Sequence, residues 1–430
     1  MYNTFPRVLL VNQQSIKKNN ATGITLRSLW EDWPLECLME IYLDKYETHV
    51  DFKPELKSFC LPSNWLSRLA HSGSARKINS EIKQEEIVSN KSFKSSIRQA
   101  VVFALDMIPS SVPTDIYSQI DDFKPEIIYT LGASVSTLDL ANRISKKYSI
   151  PIVIHYMDNW PENLQWDDNP FIKPYRRKLD KKHRSCLSQS VMGIAISPYM
   201  AEEYVKKFKM PFVSIMNSVN IDEFHLIQKP ICEPIRFVYA GGLHLNRWKA
   251  LQGISSAIKD TGINAELHIY TNNKNKELYQ SLFVNNTYFH ENVDHTRIIE
   301  IYRDADVLVH AETNNPRLLG FFKYSISTKI PEYLSSGRLV LFYGPKDLGL
   351  YRYLSDNNIA YVASNYQELY ETLVDIGNFK MSETILKNAL RVATENHNSK
   401  TSRITLKNTI NICVEKYKEL LSSEGNSKWV

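Results

Sequence analysis

The stretch Ser327, Thr328, Lys329, Ile330, Pro331, Glu332, followed by Gly337 and the apolar run Leu339, Val340 and Leu341, has residue types that could bind an anion. The order predicts a helix entered through a Ser/Thr-Lys pair, with an acid in its first turn, closed by a glycine before a strand. The free N–H groups and positive dipole end of such a helix suit a diphosphate. Lys329 adds a point charge for the same anion, and Glu332 could accept hydrogen bonds from ribose hydroxyls. Gly241 and Gly242, followed by Arg247 and Lys249, form a second group of this kind. Paired glycines let a backbone approach phosphates closely, and Arg247 and Lys249 are the cations within reach. Ordinary readings stand beside these. Ser327 or Thr328 would cap a plain helix with Lys329 and Glu332 on its solvent face, and Gly241 and Gly242 would make a simple strand-to-helix turn.

Further residues carry possible chemistry. Asp158 ends an apolar strand and could take a hydroxyl proton as a general base, or else cap the loop before Trp160 and Pro161. His155 lies inside that strand and reads as a core residue. Asp304 and Asp306 form a D-x-D pair, but they precede the strand at 307–310 instead of following one. They read as helix-end and strand-start residues, so no catalytic metal is expected. The run Lys173 to Arg184, with Arg176, Arg177 and Lys178 at its centre and Trp160, Trp166 and Phe171 upstream, is strongly basic. Charge runs are usually solvated faces. Beside aromatic residues, this one also fits docking to anionic headgroups at a membrane surface.

The elements that must position these residues come in two series. Apolar strands are expected at 8–12, 38–43, 127–131, 152–156 and 194–197, then at 235–240, 267–270, 307–310, 339–343 and 359–363, with helical segments between them. This alternation predicts an α/β fold with parallel sheets covered on both faces. At 430 residues the chain exceeds one core, so two Rossmann-like domains of roughly 200 residues follow. Residues 227–234, with Pro230 and Pro234, are the expected linker. The expected boundaries are 1–226 for an acceptor domain, 227–400 for a donor domain, and 401–430 for a helix returning to the first. Ligands would sit beyond the carboxyl ends of the strands, in a cleft between the domains. Residues 63–69 and 92–108 look like basic amphipathic helices, an insert suited to acceptor or membrane contacts.

Composition narrows the class. Hydrophobic residues make up 43% and charged residues 23%, which suits a folded globular protein. The net charge of +5 is too mild to imply nucleic acid. Five scattered cysteines without metal-ligand spacing point to a reduced, cytoplasmic protein without structural zinc. The N-terminus runs directly into a strand and does not read as a signal peptide. No apolar run approaches the ~20 residues that span a bilayer, so membrane contact is expected to be peripheral. No Gly-x-Gly-x-x-Gly follows residues 8–12, which speaks against a dinucleotide oxidoreductase.

Four stretches carry a resemblance. They are Phe123-Lys124-Pro125-Glu126; His155-Tyr156-Met157-Asp158-Asn159-Trp160-Pro161; Ile196-Ser197-Pro198-Tyr199-Met200 with the later Asn217-Ser218-Val219-Asn220 and Phe224; and the motif around Lys329 and Glu332. In order and spacing the chain resembles GT-B-fold, family-4-type retaining glycosyltransferases of bacterial capsular, exopolysaccharide or O-antigen synthesis. The resemblance implies a nucleotide-sugar donor, a lipid-linked oligosaccharide or polysaccharide acceptor, retention of stereochemistry, no cofactor, and a place at the inner face of the cell membrane. It also implies that Gly23 leaves room for acceptor or phosphate, though a simple loop glycine explains it too. Two departures stand out. The first acid of the family's E-x7-E pair would fall where Tyr324 stands, and no Arg follows Gly241-Gly242 directly. Rival readings are a nucleotide-sugar epimerase of the same fold and a non-catalytic nucleotide-sugar-binding subunit.

Overall fold

A computed structural model describes residues 4–44, 50–61, 93–160, 172–224, 232–272, 279–315, 319–320, 323–378 and 382–426. The expectations placed on residues 63–69, Pro161, Trp166, Phe171 and the linker stretch 227–231 lie outside them. The chain divides into two compact units. The first takes the described residues up to Met216 together with those from Ser402 onward, and the second runs Asn217–Thr401.

The first unit contains strands β1 (Val8–Asn12), β2 (Leu38–Tyr42), β3 (Lys57–Cys60), β4 (Ile127–Thr130), β5 (Ile152–Tyr156), β6 (Gly193–Ala195) and β7 (Phe212–Ser214). All pair in parallel, in the order β3-β2-β1-β4-β5-β6-β7. Helices α1 (Ala21–Trp30), α2 (Phe93–Asp106), α3 (Thr114–Phe123), α4 (Val135–Tyr148), α5 (Lys173–Leu187) and α6 (Pro198–Phe208) connect them. The central strands are apolar because helices cover both faces; every residue of β1, β4 and β5 is buried.

The second unit contains β8 (Ile235–Ala240), β9 (Ala265–Thr271), β10 (Thr287–Glu291), β11 (Val307–Ala311), β12 (Leu339–Tyr343) and β13 (Tyr361–Ala363). They form a parallel sheet in the order β10-β9-β8-β11-β12-β13. Its helices are α7 (Arg247–Thr261), α8 (His295–Asp304), α9 (Ile330–Ser335), α10 (Gly349–Asp356), α11 (Tyr366–Gly377) and α12 (Ser382–Asn396). This strand order reverses direction between β8 and β11. In open parallel sheets such a reversal point, at the carboxyl ends of the two strands, is where ligands bind.

The strands absent from the apolar-run reading are β3, β7 and β10, and all three are sheet edges. Their residues are mostly half-exposed or exposed, so they carry no continuous apolar signal, whereas the fourth edge, β13, is mostly buried and was expected at 359–363. The last helix, α13 (Ser399–Asn426), begins in the second unit and continues through the first. Leu406, Ile410, Cys413 and Val414 recur at helical spacing and enter the core formed by Val8, Leu10, Trp30, Ile127 and Tyr129. Arg403 ties the same helix to Glu31 and Asp32 beyond α1, each at 2.7 Å.

Leu406 is fully buried, whereas Ile404 is 44% exposed. Leu406→Ala should destabilise the first unit by about 2–5 kcal/mol, while Ile404→Ala should change stability by less than about 0.5 kcal/mol. Thermal unfolding followed by tryptophan fluorescence checks this, with Trp30 and Trp33 reporting from that core.

Candidate functional site

The residues that could bind an anion converge at the reversal point of the second sheet. β8 runs straight into Gly241 and Gly242, and the Tyr239 hydroxyl donates to the Gly242 carbonyl at 2.8 Å. Any side chain at Gly241 would collide with the Lys329 ammonium, so the glycine lets that cation lie against the backbone. Lys329 Nζ also stands 5.3 Å from the centre of the Tyr239 ring. After Gly242 the chain turns through Leu245 and Asn246, both left-handed with φ of 61°, and enters α7 at Arg247. From the neighbouring strand, β11 delivers His310 and then Glu312.

Arg247 and Glu312 form a two-pronged ion pair, Nε to Oε2 at 3.1 Å and Nη2 to Oε1 at 2.8 Å. His310 Nε2 lies 3.1 Å from Glu312 Oε1. Burial pushes the His310 pKa down, which keeps the imidazole neutral, so its Nε2–H donates to the carboxylate. Burial by itself would raise the Glu312 carboxyl. The Arg247 guanidinium and the His310 hydrogen bond overcome that and hold it at about 2. Lys329 goes the other way. Burial, then repulsion from Arg247, lower its pKa to about 8 against the opposing pull of Glu312 and Glu332. The charges here are therefore two cations, Arg247 and Lys329, and two carboxylates, buried Glu312 and half-buried Glu332, gathered at the end of a parallel sheet.

The helix of the opening motif has six residues and starts at Ile330, with Lys329 at its N-cap. Ser327 and Thr328 lie in the preceding turn, where the Ser327 hydroxyl accepts from the Lys329 N–H at 3.4 Å. The positive charge comes from Lys329 itself more than from so short a helix. Asn217 supports this turn from beneath, donating from Nδ2 to the Ile326 carbonyl at 2.9 Å. Glu332 sits in the first turn of α9, half-buried. Lys249 stands apart: it is exposed on α7, over the Trp248 ring at 5.5 Å. Gly241, Arg247 and Lys329 are thus brought together, and Lys249 is not. Glu312 and His310 escaped the sequence reading. Their signal was the i, i+2 spacing at the carboxyl end of a strand, which puts both on one face of the sheet.

Asp306 lies at the opposite end of the strands from Gly241. It accepts from the Arg236 backbone N–H at 2.9 Å and so ties β8 to β11. His290 is on β10, stacked between Tyr270 and His268.

In the first unit, Asp158 follows β5 and is exposed, and its carbonyl accepts from the Trp160 N–H at 2.8 Å. His155 is a buried core residue, with Nδ1 2.7 Å from the Tyr129 hydroxyl and Nε2 buried without a hydrogen-bond partner among the described residues. Gly23 is in the first turn of α1, where a side chain would overlap the Lys18 carbonyl. Its N–H is taken by the capping Asn20 side chain at 2.8 Å. Close packing of the β1–α1 loop thus accounts for this glycine. The basic helix α5 is anchored through buried Tyr175, Leu179, His183 and Cys186, and Tyr175 donates to Asp106 at 2.6 Å. Arg177, Lys181 and Arg184 are exposed along it. Lys178 is turned inward and donates to the Met107 carbonyl at 3.0 Å, while Arg176 is half-buried.

No protein-family model matches the chain, and no curated protein matches its sequence. Solved structures do match. A sucrose-phosphate synthase from Thermosynechococcus elongatus superposes with a TM-score of 0.59 at 11% identity, over 97% of this chain and 99% of that one. Anabaena HepE in complex with UDP-glucose gives 0.57 at 14% identity, over 97% and 99%. WaaG, a glycosyltransferase involved in lipopolysaccharide biosynthesis, gives 0.54 at 12% identity, over 93% and 98%. At such low identity these likenesses show the fold, the GT-B arrangement of two Rossmann-like units.

Because the folded pKa of Lys329 lies below its unfolded value, the unfolded chain binds more protons at this residue between about pH 8 and about pH 10.5. Stability therefore rises with pH across that window as the buried charge is relieved. Lys329→Met removes the charge, so its gain in thermal midpoint over wild type should be largest at pH 7 and shrink by pH 10. Parallel unfolding curves at the two pH values check this.

Proposed function

We propose that this chain is a glycosyltransferase that moves a sugar from a nucleotide-sugar donor to a lipid-linked oligosaccharide or polysaccharide acceptor. The observation that carries the reading is the pair of cations Arg247 and Lys329 beside the side-chain-free Gly241 backbone, at the reversal point of a GT-B unit. In the transfer, the bond from the anomeric carbon to the diphosphate oxygen breaks and a bond to the acceptor oxygen forms. The nucleoside diphosphate leaves with the bonding electrons, so negative charge grows on its phosphates in the transition state. The fixed cations Arg247 and Lys329, with the backbone N–H of Gly242, meet that charge, while the Gly241 N–H stays bonded to the Tyr270 carbonyl. Glu332 accepts from the ribose hydroxyls, with Ser327 and Thr328 lining the turn beside it. Asp158 takes the acceptor proton. The reaction retains configuration and uses no metal or other cofactor.

Arg177, Lys181 and Arg184, on the exposed side of α5, hold the enzyme to anionic headgroups at the inner face of the cell membrane. Among the described residues no helix is long and apolar enough to cross a membrane. The likeness to HepE with UDP-glucose and to WaaG supports a UDP-sugar donor and a role in capsule, O-antigen or other surface-polysaccharide synthesis. One observation favours a second reading, nucleotide-sugar binding without turnover. Tyr324 stands at the position of the family's first acid, and both oxygens of Glu312 are engaged by Arg247 and His310.

A thermal-shift panel of UDP, GDP, dTDP, ADP and CMP on wild type and Glu332→Ala tests the donor site. One nucleotide should stabilise the wild type clearly, the variant much less, and equally with or without EDTA; no shift with any of them would remove the donor-site assignment. Turnover of the corresponding nucleotide sugar then separates transfer from binding alone. For the membrane contact, Arg177→Glu with Lys181→Glu should abolish sedimentation with vesicles of anionic phospholipid. Unchanged sedimentation would refute it.

A further inference from the structure

Glu312 is a buried carboxylate, 4% exposed, at the carboxyl end of β11, and it faces the cation that starts α7. A buried ion pair is no more stabilising than apolar side chains of the same volume. What it supplies is orientation. The two bonds run along the Nε–Nη2 edge of Arg247, which locks the plane of the guanidinium. The carboxylate is locked in turn, since Oε1 also accepts from His310. His310 lies flat on Phe342 of β12, the planes 13° apart and the ring centres 5.8 Å apart. The backbone N–H of Glu312 donates to the Tyr343 carbonyl at 3.0 Å. A chain of contacts thus leads from the middle of the sheet to one guanidinium.

We propose, building on the donor-site reading, that Glu312, with His310 behind it, is a positioning residue: it fixes the Arg247 guanidinium so that a nucleoside diphosphate is gripped between Arg247 and Lys329. The carboxylate does not itself touch the ligand. It sets the direction of one cation and supports the charge of the other. The groups facing Lys329 are Tyr239 of β8, Arg247 of α7, His310 and Glu312 of β11, and Glu332 of α9.

The test is a four-way cycle of wild type, Glu312→Gln, Arg247→Met and the double variant. Affinity is measured calorimetrically for whichever of UDP, GDP, dTDP or ADP stabilises the wild type. Glu312→Gln should weaken binding about tenfold, the loss of one oriented charge-assisted contact. In the Arg247→Met background the same change should alter affinity by less than about twofold, because its effect passes through Arg247. A pH series adds a readout that a merely structural role would not move. Wild-type affinity should fall as pH rises through about 8, where Lys329 loses its proton, and Glu312→Gln should shift that fall to lower pH. His310→Phe keeps the stack on Phe342 and removes only the hydrogen bond. It should weaken binding in the same Arg247-dependent way, and it serves if Glu312→Gln does not fold. Equal losses with and without Arg247, or unchanged affinity, would overturn the proposal while leaving the donor site intact. A wild type that binds none of the nucleotides would overturn the donor-site reading itself.

Discussion

The buried ion pair between Arg247 and Glu312 is the constraint on which the rest of the site depends. Taking two charges out of water is unfavourable unless both are fully hydrogen-bonded, and stripping one partner from such a pair costs about 3–5 kcal/mol. The local structure meets that demand from several sides. The Gly241–Gly242 turn and the left-handed residues Leu245 and Asn246 start α7 where Arg247 can reach across to β11. β11 and β12 pair in register, which sets His310 against Phe342 and hands Glu312 to the guanidinium. Burial first and Arg247 second outweigh the pull of Glu312 and Glu332 on Lys329, and its proton is held loosely. An incoming anion would restore the balance, which is a physical reason to expect one there.

The same unit is closed by its own connections. The chain enters it at Asn217 and leaves it after Thr401, and the two strands of traffic lie side by side. Val219 donates to the His397 carbonyl and Ser399 to the Val219 carbonyl, each at 2.9 Å. The His397 ring joins the Asn217 carbonyl at 2.7 Å to the Tyr353 hydroxyl at 3.0 Å, while Asn217 also holds the turn before Lys329. Burial keeps His397 neutral, near pKa 4, so it serves as a fixed hydrogen-bonding joint and not as a titrating group at physiological pH. The entry segment and the turn before Lys329 are thereby one hydrogen-bonded piece.

The first unit treats its own reversal point differently. There the order turns between β1 and β4, and Asn12 at the end of β1 accepts from the Leu131 N–H at 3.0 Å. Gln13, Ser134 and Thr137 fill the space beside it with neutral hydrogen bonds, and Asp106 takes the first N–H groups of α4. Two sheets of like topology thus end differently, the first mostly in neutral side chains around one carboxylate, Asp106, the second in Arg247, Lys329, Glu312 and Glu332.

Much of this was written in the sequence, because its signals are local. Continuous apolar runs marked the covered strands, a pair of glycines marked the turn after β8, and the spacing of Leu406, Ile410, Cys413 and Val414 marked a helix with one buried stripe. Lys329 could be singled out because a cation before a short helix and a closing glycine is itself a local pattern. What only the tertiary structure decided depends on which residues meet across strands far apart in the chain. Arg247 and Glu312 are paired by the parallel register of β8 and β11, and Lys249 is turned away by a rotation of two residues along α7. Gly23 is needed because the carbonyl of Lys18 folds over it, and Lys178 is drawn inward by the carbonyl of Met107. The edge strands β3, β7 and β10 declare themselves only through their partners, since a half-exposed strand has no apolar run to read. Residue type and short-range spacing set which elements form; long-range pairing chose which of their side chains face one another.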